Sequence, residues 1–304
     1  MSRLLAALCV VFALNSQAAA ETRTWQGWGL LVTNDSLGDT HDRWRTGSFA
    51  SSHVWAQGWS GMLPDRFGAL IELRINGEVL GPENLAAPAP LDRRYGQALS
   101  FGLHTHFQPG VIAWSIGADL VVTGPQTGLD HLQEALHDVL GGRDASPAVK
   151  AAQVGNDVKP TLVLEAGREF ALGDTVRLRP FVEARAGVET LLRAGADLTI
   201  GGFGQGGLLV RAPVTGQRFG AIEGAPQAGL SAMFGADIAH VADSEFVTSG
   251  PVRLRETRAR ARAGLHWRSR AGTSVFYGLT WLDREFVTQR ESQVVGSVQL
   301  RVKF

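Results

Sequence analysis

Two kinds of residue in this 304-residue chain suit chemistry by type and spacing. The first is an oxygen-rich run, Asn34-Asp35-Ser36-Leu37-Gly38-Asp39-Thr40-His41-Asp42-Arg43, which leads into Thr46-Gly47-Ser48. Its carboxylates, amide, hydroxyls and carbonyls are the hard ligands that a cation such as calcium takes. The second is His137, a side chain suited to proton transfer near neutral pH. Cation and base together would suffice for metal-assisted ester hydrolysis. Each also has a plainer reading. Asn-Asp-Ser and Gly-Asp-Thr are ordinary turn formers, and a histidine on a surface helix is commonly just solvated, so residue types alone leave both open. His104 and His106 share a strand face but lack a third ligand, which favours packing over a metal site. No Gly-x-Ser-x-Gly elbow supports Ser-His-Asp catalysis.

The element that must carry His137 is the one break in an otherwise strand-like chain. Gly124-Pro125 and Thr127-Gly128 interrupt an extended run, and Asp130 with Gln133 reads as an N-cap and its capping-box partner. Leu132, Leu136 and Val139 then recur at helical spacing, Leu140 widens the stripe and Gly141-Gly142 supplies a stop, which predicts a short amphipathic helix over 131–140. Gln133 and His137, four apart, share a face beside that stripe.

Everything else alternates. Val176 to Glu189, Arg255 to Arg268 and Val294 to Phe304 place apolar or small residues on one face and polar or charged ones on the other. The chain opens with Arg3, an apolar run from Leu4 to Leu14 and Ala18-Ala19-Ala20, a secretory signal peptide cut after Ala20. The only cysteine, Cys9, lies inside it, so the mature chain from 21 to 304 can form no disulfide. Formal net charge is zero, which gives no signature for nucleic acid. No later stretch approaches the ~18 consecutive apolar residues of a membrane-spanning helix. Exported, glycine-rich and alternating, the chain reads as an all-β protein, a transmembrane antiparallel barrel of about twelve strands with a short helix in an extracellular loop. In a small lumen the arginine rows can pair with Glu72, Glu165, Glu169 and Glu183. With both ends periplasmic, the loops 35–45, 78–94 and 124–158 share the outer rim. The stretch 203–225 falls on the periplasmic side, either an elaborated inner connection or a sign of a miscount near 190.

Asn34-Asp35, Asp42-Arg43-x-x-Thr46, Gly81-Pro82-Glu83-Asn84-Leu85, Asp92-Arg93-x-Tyr95, Gly124-Pro125 with Gln133-x-x-x-His137 and Gly141, and Arg284-Glu285-Phe286 together resemble, in this order, the LpxR family of outer-membrane lipid A 3'-O-deacylases. The resemblance covers essentially the whole mature chain. It implies a twelve-stranded barrel that removes the 3'-linked acyloxyacyl chain of lipid A with calcium as cofactor, acting on lipopolysaccharide of the outer leaflet of the outer membrane, as a monomer. It further implies His137 as general base, Asn34 and Asp35 as the pair that organises the cation, and Thr46 as the site hydroxyl. Where the family tends to read Asp-Arg-Tyr-Tyr-Thr-Asn-Gly, this chain has Trp44, Arg45, Thr46, Gly47 and Ser48, which makes Ser48 a second candidate hydroxyl. Gln133, Leu132 and Leu136 are the expected substrate contacts. About six positions past the histidine the family carries an acidic residue; here Arg143 stands, followed by Asp144. The rival reading is a barrel of the same fold that binds lipopolysaccharide or serves structurally without turnover.

Overall fold

The computed structural model describes residues 22–140, 144–224, 227–248 and 252–303, so the expected signal peptide lies outside the described residues. Fifteen strands follow one another: β1 (Thr24–Asn34), β2 (Trp44–Ala56), β3 (Leu70–Gly81), β4 (Gly96–Phe107), β5 (Ala113–Thr123), β6 (Asp157–Gly167), β7 (Phe170–Ala171), β8 (Val176–Ala186), β9 (Glu189–Ile200), β10 (Leu208–Arg211), β11 (Arg218–Ile222), β12 (Gly229–Ser244), β13 (Thr257–Arg268), β14 (Ser274–Leu282) and β15 (Gln293–Arg301). Twelve of them form a closed antiparallel barrel, sealed where β1 meets β15 and where β6 meets β8. Short β7 merely extends the edge of β8. Among the described residues three α-helices decorate the loops: α1 (Leu129–Leu140), α2 (Pro147–Ala151) and α3 (Glu245–Thr248).

The period-two pattern explains the closure. On β13, Arg258, Arg260 and Arg262 point into the lumen, while Ala261, Leu265 and Trp267 face out. On β14, Val275, Tyr277, Leu279 and Trp281 form the outer face. An apolar outside and a charged inside suit a cylinder in lipid, and closure leaves no strand edge to be satisfied there. The lumenal arginines pair as expected with Glu72, Glu165 and Glu183. Two aspartates not singled out in the sequence take as large a share: Asp237 binds Arg193 and Arg260 at 3.1 and 2.9 Å, and Asp197 binds Arg211 at 2.8 Å. Glu169 makes no ion pair among the described residues.

The glycine-rich stretch is an elaborated inner connection. The turn between β8 and β9 is only Gly187-Val188, so the count near 190 stands, and 201–228 joins β9 to β12 at the end that carries both chain termini. Its β10–β11 hairpin folds back into the barrel. Val210, Phe219, Ala221 and Ile222 pack on inward-facing Leu31, Ala50, Val54, Met233 and Phe276, forming an apolar core inside a membrane barrel. Burying a side chain such as Phe219 contributes about 2 kcal/mol. Gly29 permits the approach: a Cβ there would collide with the backbone of Gly220. The hairpin tip is held by Arg260, which donates to the carbonyls of Pro213 and Val214 at 2.9 and 3.0 Å.

Candidate active site on the outer barrel wall

Asn34 closes β1, and its side chain is used twice. Its carbonyl oxygen accepts from the Ser36 N–H at 2.8 Å, starting a 3-10 turn over Asp35–Leu37, and its amide donates to the Thr46 carbonyl at 2.9 Å. The turn reading of Asn-Asp-Ser is therefore realised, and it aims the next residue inward. Asp35 is 1% exposed, and its carboxyl accepts from the Arg43 N–H at 3.2 Å. Its pKa is pushed up to about 8, chiefly by burial and then by the charge of Asp42, against the hydrogen bonds from Arg43 and Ser36.

A carboxyl buried beside a second carboxylate is the situation that a divalent cation relieves. Among the described residues no three His, Cys, Asp or Glu side chains converge as a ready metal cage. A hard cation here would draw on Asp35, Asp42 and neutral oxygens, a donor set of calcium type. To that extent the residues present fit the ion.

The loop that follows is strained. Thr40 and Trp44 adopt φ of +63° and +52°, which cost non-glycine residues about 1–3 kcal/mol each. Two anchors hold it. Asp39 exchanges hydrogen bonds with the backbone of Val294 on β15, and Trp44 is buried against Val247, Val252 and Phe286.

Thr46 reaches the site through a β-bulge. In the β2–β3 ladder Arg45 pairs with Leu80 and Gly47 with Val79, so Thr46 is the extra residue. The side chain of Gln293 takes over the hydrogen bonds of the displaced backbone, accepting from the Arg45 N–H at 3.1 Å and donating to the Arg43 carbonyl at 2.6 Å. Arg45 points into the lumen, to Glu78 and Glu285. Thr46 points to the outer wall, and Ser48 lines a lumenal pocket with Asn76 and Glu78. Of the two candidate hydroxyls, Thr46 alone faces the helix.

Helix α1 lies against the outer face of β3 and β4. Leu129 packs with Val79, Leu85, Tyr95 and Val149, while Leu132 is 50% exposed. Gln133 donates to the Thr46 hydroxyl at 3.3 Å and accepts from the Tyr95 hydroxyl at 2.7 Å. Tyr95 is 1% exposed; burial, and then the charges of Asp130, Glu134, Asp42 and Asp144, raise its pKa, which keeps the phenol a donor. Position 137 follows one turn after Gln133 on the same face. The side chains of Leu136, His137, Val139 and Leu140, and residue Arg143, lie outside the described residues. Asp144 is described and exposed.

The helix start differs from the expectation. The helix begins at Leu129, and its first N–H groups are taken by Thr127 Oγ1 at 3.4 Å and by Gln97 Oε1, which accepts from Asp130 N at 3.0 Å. Asp130 is thus not the N-cap and Gln133 is not its capping partner. Gln97 from β4 wins because it supplies an acceptor from a rigid strand, which frees Asp130 to pair with Lys150 at 3.4 Å and Gln133 to reach across the wall. A polar residue of another strand leaves no trace in the local sequence of the helix.

Beneath the site, Glu285 is 8% exposed and accepts from Arg45 and Arg93, each at 2.6 Å. Burial opposes its ionisation, but the guanidiniums of Arg45, Arg93 and Arg258 prevail and hold its pKa well below the ordinary carboxylate range. Arg93 also donates to the Phe246 carbonyl at 3.2 Å. This hub ties together β2, the β3–β4 loop, α3 and the β14–β15 loop. Residue spacing does not reveal it, because its members come from four separate elements.

A family model described as outer membrane protein LpxR matches residues 4–304. Among solved structures, LpxR from Salmonella typhimurium is similar at 18% identity, covering 91% of this chain and 100% of that one with a TM-score of 0.73. The β domain of the Bordetella autotransporter BrkA, at 11% identity over 92% of this chain and 99% of that one, has a TM-score of 0.42. The NanC porin, at 6% identity over 92% of this chain and 100% of that one, has a TM-score of 0.39. A search of curated protein sequences finds no match.

Proposed function

Because the chain belongs to the family of outer membrane protein LpxR, we propose that it is a lipid A 3'-O-deacylase, a hydrolase that removes the 3'-acyloxyacyl chain of lipid A in the outer leaflet. The observation that carries the reading is the bridge from Tyr95 through Gln133 to Thr46. It fixes Gln133 at Thr46, and position 137, one turn on along the same helix face, supports the choice of His137 as the base.

His137 acts as general base on a water molecule. Thr46, fixed by Gln133, orients the ester or its oxyanion, and Asn34 holds the corner together by bracing Thr46 from below. Asp35, with Asp42 beside it, would hold calcium; when bound, the ion supplies polarisation of the ester carbonyl and charge to stabilise the oxyanion. Exposed Leu132, and Leu136 one turn on, guide the acyl chain, since a helix packed outside the wall meets the same leaflet as the substrate's hydrocarbon. The leader directs export and is cut off after Ala20, and the enzyme works as a monomer.

The test is made on lipid A itself. The protein is expressed in a host that makes lipid A, and extracted lipid A is weighed by mass spectrometry with calcium and with chelator. One acyloxyacyl unit should be lost with calcium, retained with chelator, and retained in His137→Ala. Unchanged lipid A alongside abundant folded barrel would instead favour the rival reading of a lipopolysaccharide-binding or structural barrel.

A further inference from the structure

Between the lumenal hairpin and the wall formed by β5, β6 and β8 lies a cavity of about 590 Å³. Trp59, Met62 and Gly110 stand at its mouth, on the short connections of the periplasmic end. Six arginines line it against three glutamates. Most of these cations are compensated: Arg74 by Glu72, Arg185 by Glu183, Arg179 by Glu165, and Arg211 by Glu165 and Asp197, at 2.6–2.8 Å.

Two are not. Arg218, on β11, makes no ion pair or side-chain hydrogen bond among the described residues; Asp197 and Glu169 act on it only from beyond ion-pair distance. Arg177 donates to the carbonyls of Gly201 and Phe203 but meets no carboxylate within ion-pair distance, and its Nε is buried without a partner. Glu169 lines the same cavity, is exposed, and pairs with neither. A guanidinium withdrawn from bulk water with its counter-charges held beyond contact keeps unused donors, and such forks are matched to carboxylate and phosphate oxygens. The hairpin is not a passive filler on this reading, because it brings Arg218 into a recess whose other five arginines are already balanced in number by Glu72, Glu165, Glu169, Glu183 and Asp197, leaving one cation in excess.

We propose that this recess is a binding site for an oxyanion of phosphate type entering from the periplasm, with Arg218 and Arg177 as its principal donors and Arg179 alongside. The site is separate from the outer wall: it lies inside the barrel, at the opposite end from Thr46 and α1. Two sources share this chemistry, a free solute anion and the phosphate headgroup of an inner-leaflet lipid bending over the mouth.

The folded, full-length barrel in nonionic detergent is dialysed against inorganic phosphate at constant ionic strength set with chloride. Saturable binding is expected, weakened about tenfold or more in Arg218→Gln, the loss of one charge-assisted contact. Glu169→Gln should strengthen it, because the exposed carboxylate repels the anion; a purely structural role for Arg218 would not move in this direction. In a second arm, thermal unfolding is compared in phosphatidylglycerol and phosphatidylcholine nanodiscs. Arg218-dependent stabilisation by phosphatidylglycerol without uptake of inorganic phosphate supports the site and assigns the lipid headgroup as source. The proposal is overturned if wild-type barrel takes up no phosphate and gains nothing from phosphatidylglycerol, or if Glu169→Gln leaves affinity unchanged. Neither outcome depends on Arg218→Gln folding.

Discussion

Thr46 owes its direction to one extra residue in β2. Without the bulge, strict alternation from Ala50, Ser52 and Val54 would send Thr46 into the lumen beside Ser48; with it, Arg45 points inward and Thr46 outward. The two hydroxyls are two positions apart and on opposite sides of a membrane wall. Substitution should separate them. Thr46→Val removes the acceptor of the Gln133 bond and should lower deacylation by about ten- to a hundredfold, in the range of a positioned polar contact. Ser48→Ala should leave it within about twofold, since its side chain faces the wrong compartment. Both rates are read from the fraction of lipid A converted per unit of folded barrel.

Among the elements, the rim loops are held by charge as much as by grease. Glu285 joins loops that share no strand pairing, and Arg45 places one end of this hub directly beside the bulge. A carboxylate whose folded pKa lies below its ordinary value of 4.5 stabilises the fold fully above that value and loses the contribution as pH falls beneath it. The melting temperature of the wild-type barrel in detergent should therefore decline below about pH 4.5. Glu285→Gln should melt lower at neutral pH, by the equivalent of about 3 kcal/mol for an arginine pair left without its partner, and should show a smaller acid decline. Equal acid declines in the two proteins would place the sensitivity elsewhere. Helix α1 depends on the same rim less directly, through α2, whose Lys150 binds Asp130 and Glu134 and whose flanking backbone docks on Leu85 and Tyr95.

At the scale of the whole molecule, the barrel is filled rather than open. Ion-paired arginines cross the lumen, and the β10–β11 hairpin enters it from the end that carries both chain termini, with an apolar core of its own. Two consequences can be measured in planar bilayers. The wild-type protein should pass no steady ion current, and replacing residues 208–222 by a short Gly-Ser link should give a conducting barrel, because the wall strands close through pairings that do not involve the hairpin. Loss of the folded, heat-modifiable barrel in that variant would mean that the wall needs the internal core to form.

The alternation of polar and apolar residues determined the barrel by itself, because a strand with lipid on one side and a charged lumen on the other leaves a period-two record in every segment. It also located α1, since a 3.6-residue stripe after Gly124-Pro125 cannot be mistaken for a strand. What local pattern could not carry was any arrangement set by partners distant in sequence. The bulge that turns Thr46 outward is stabilised by Gln293, the cap of α1 comes from Gln97, and the rim hub gathers Arg45 from β2 with Arg93 and Glu285 from two separate loops. The hairpin of 208–222 reads locally as two short strands like the rest. Only the closed wall around it, with no free edge to join, sends it into the lumen instead of the sheet.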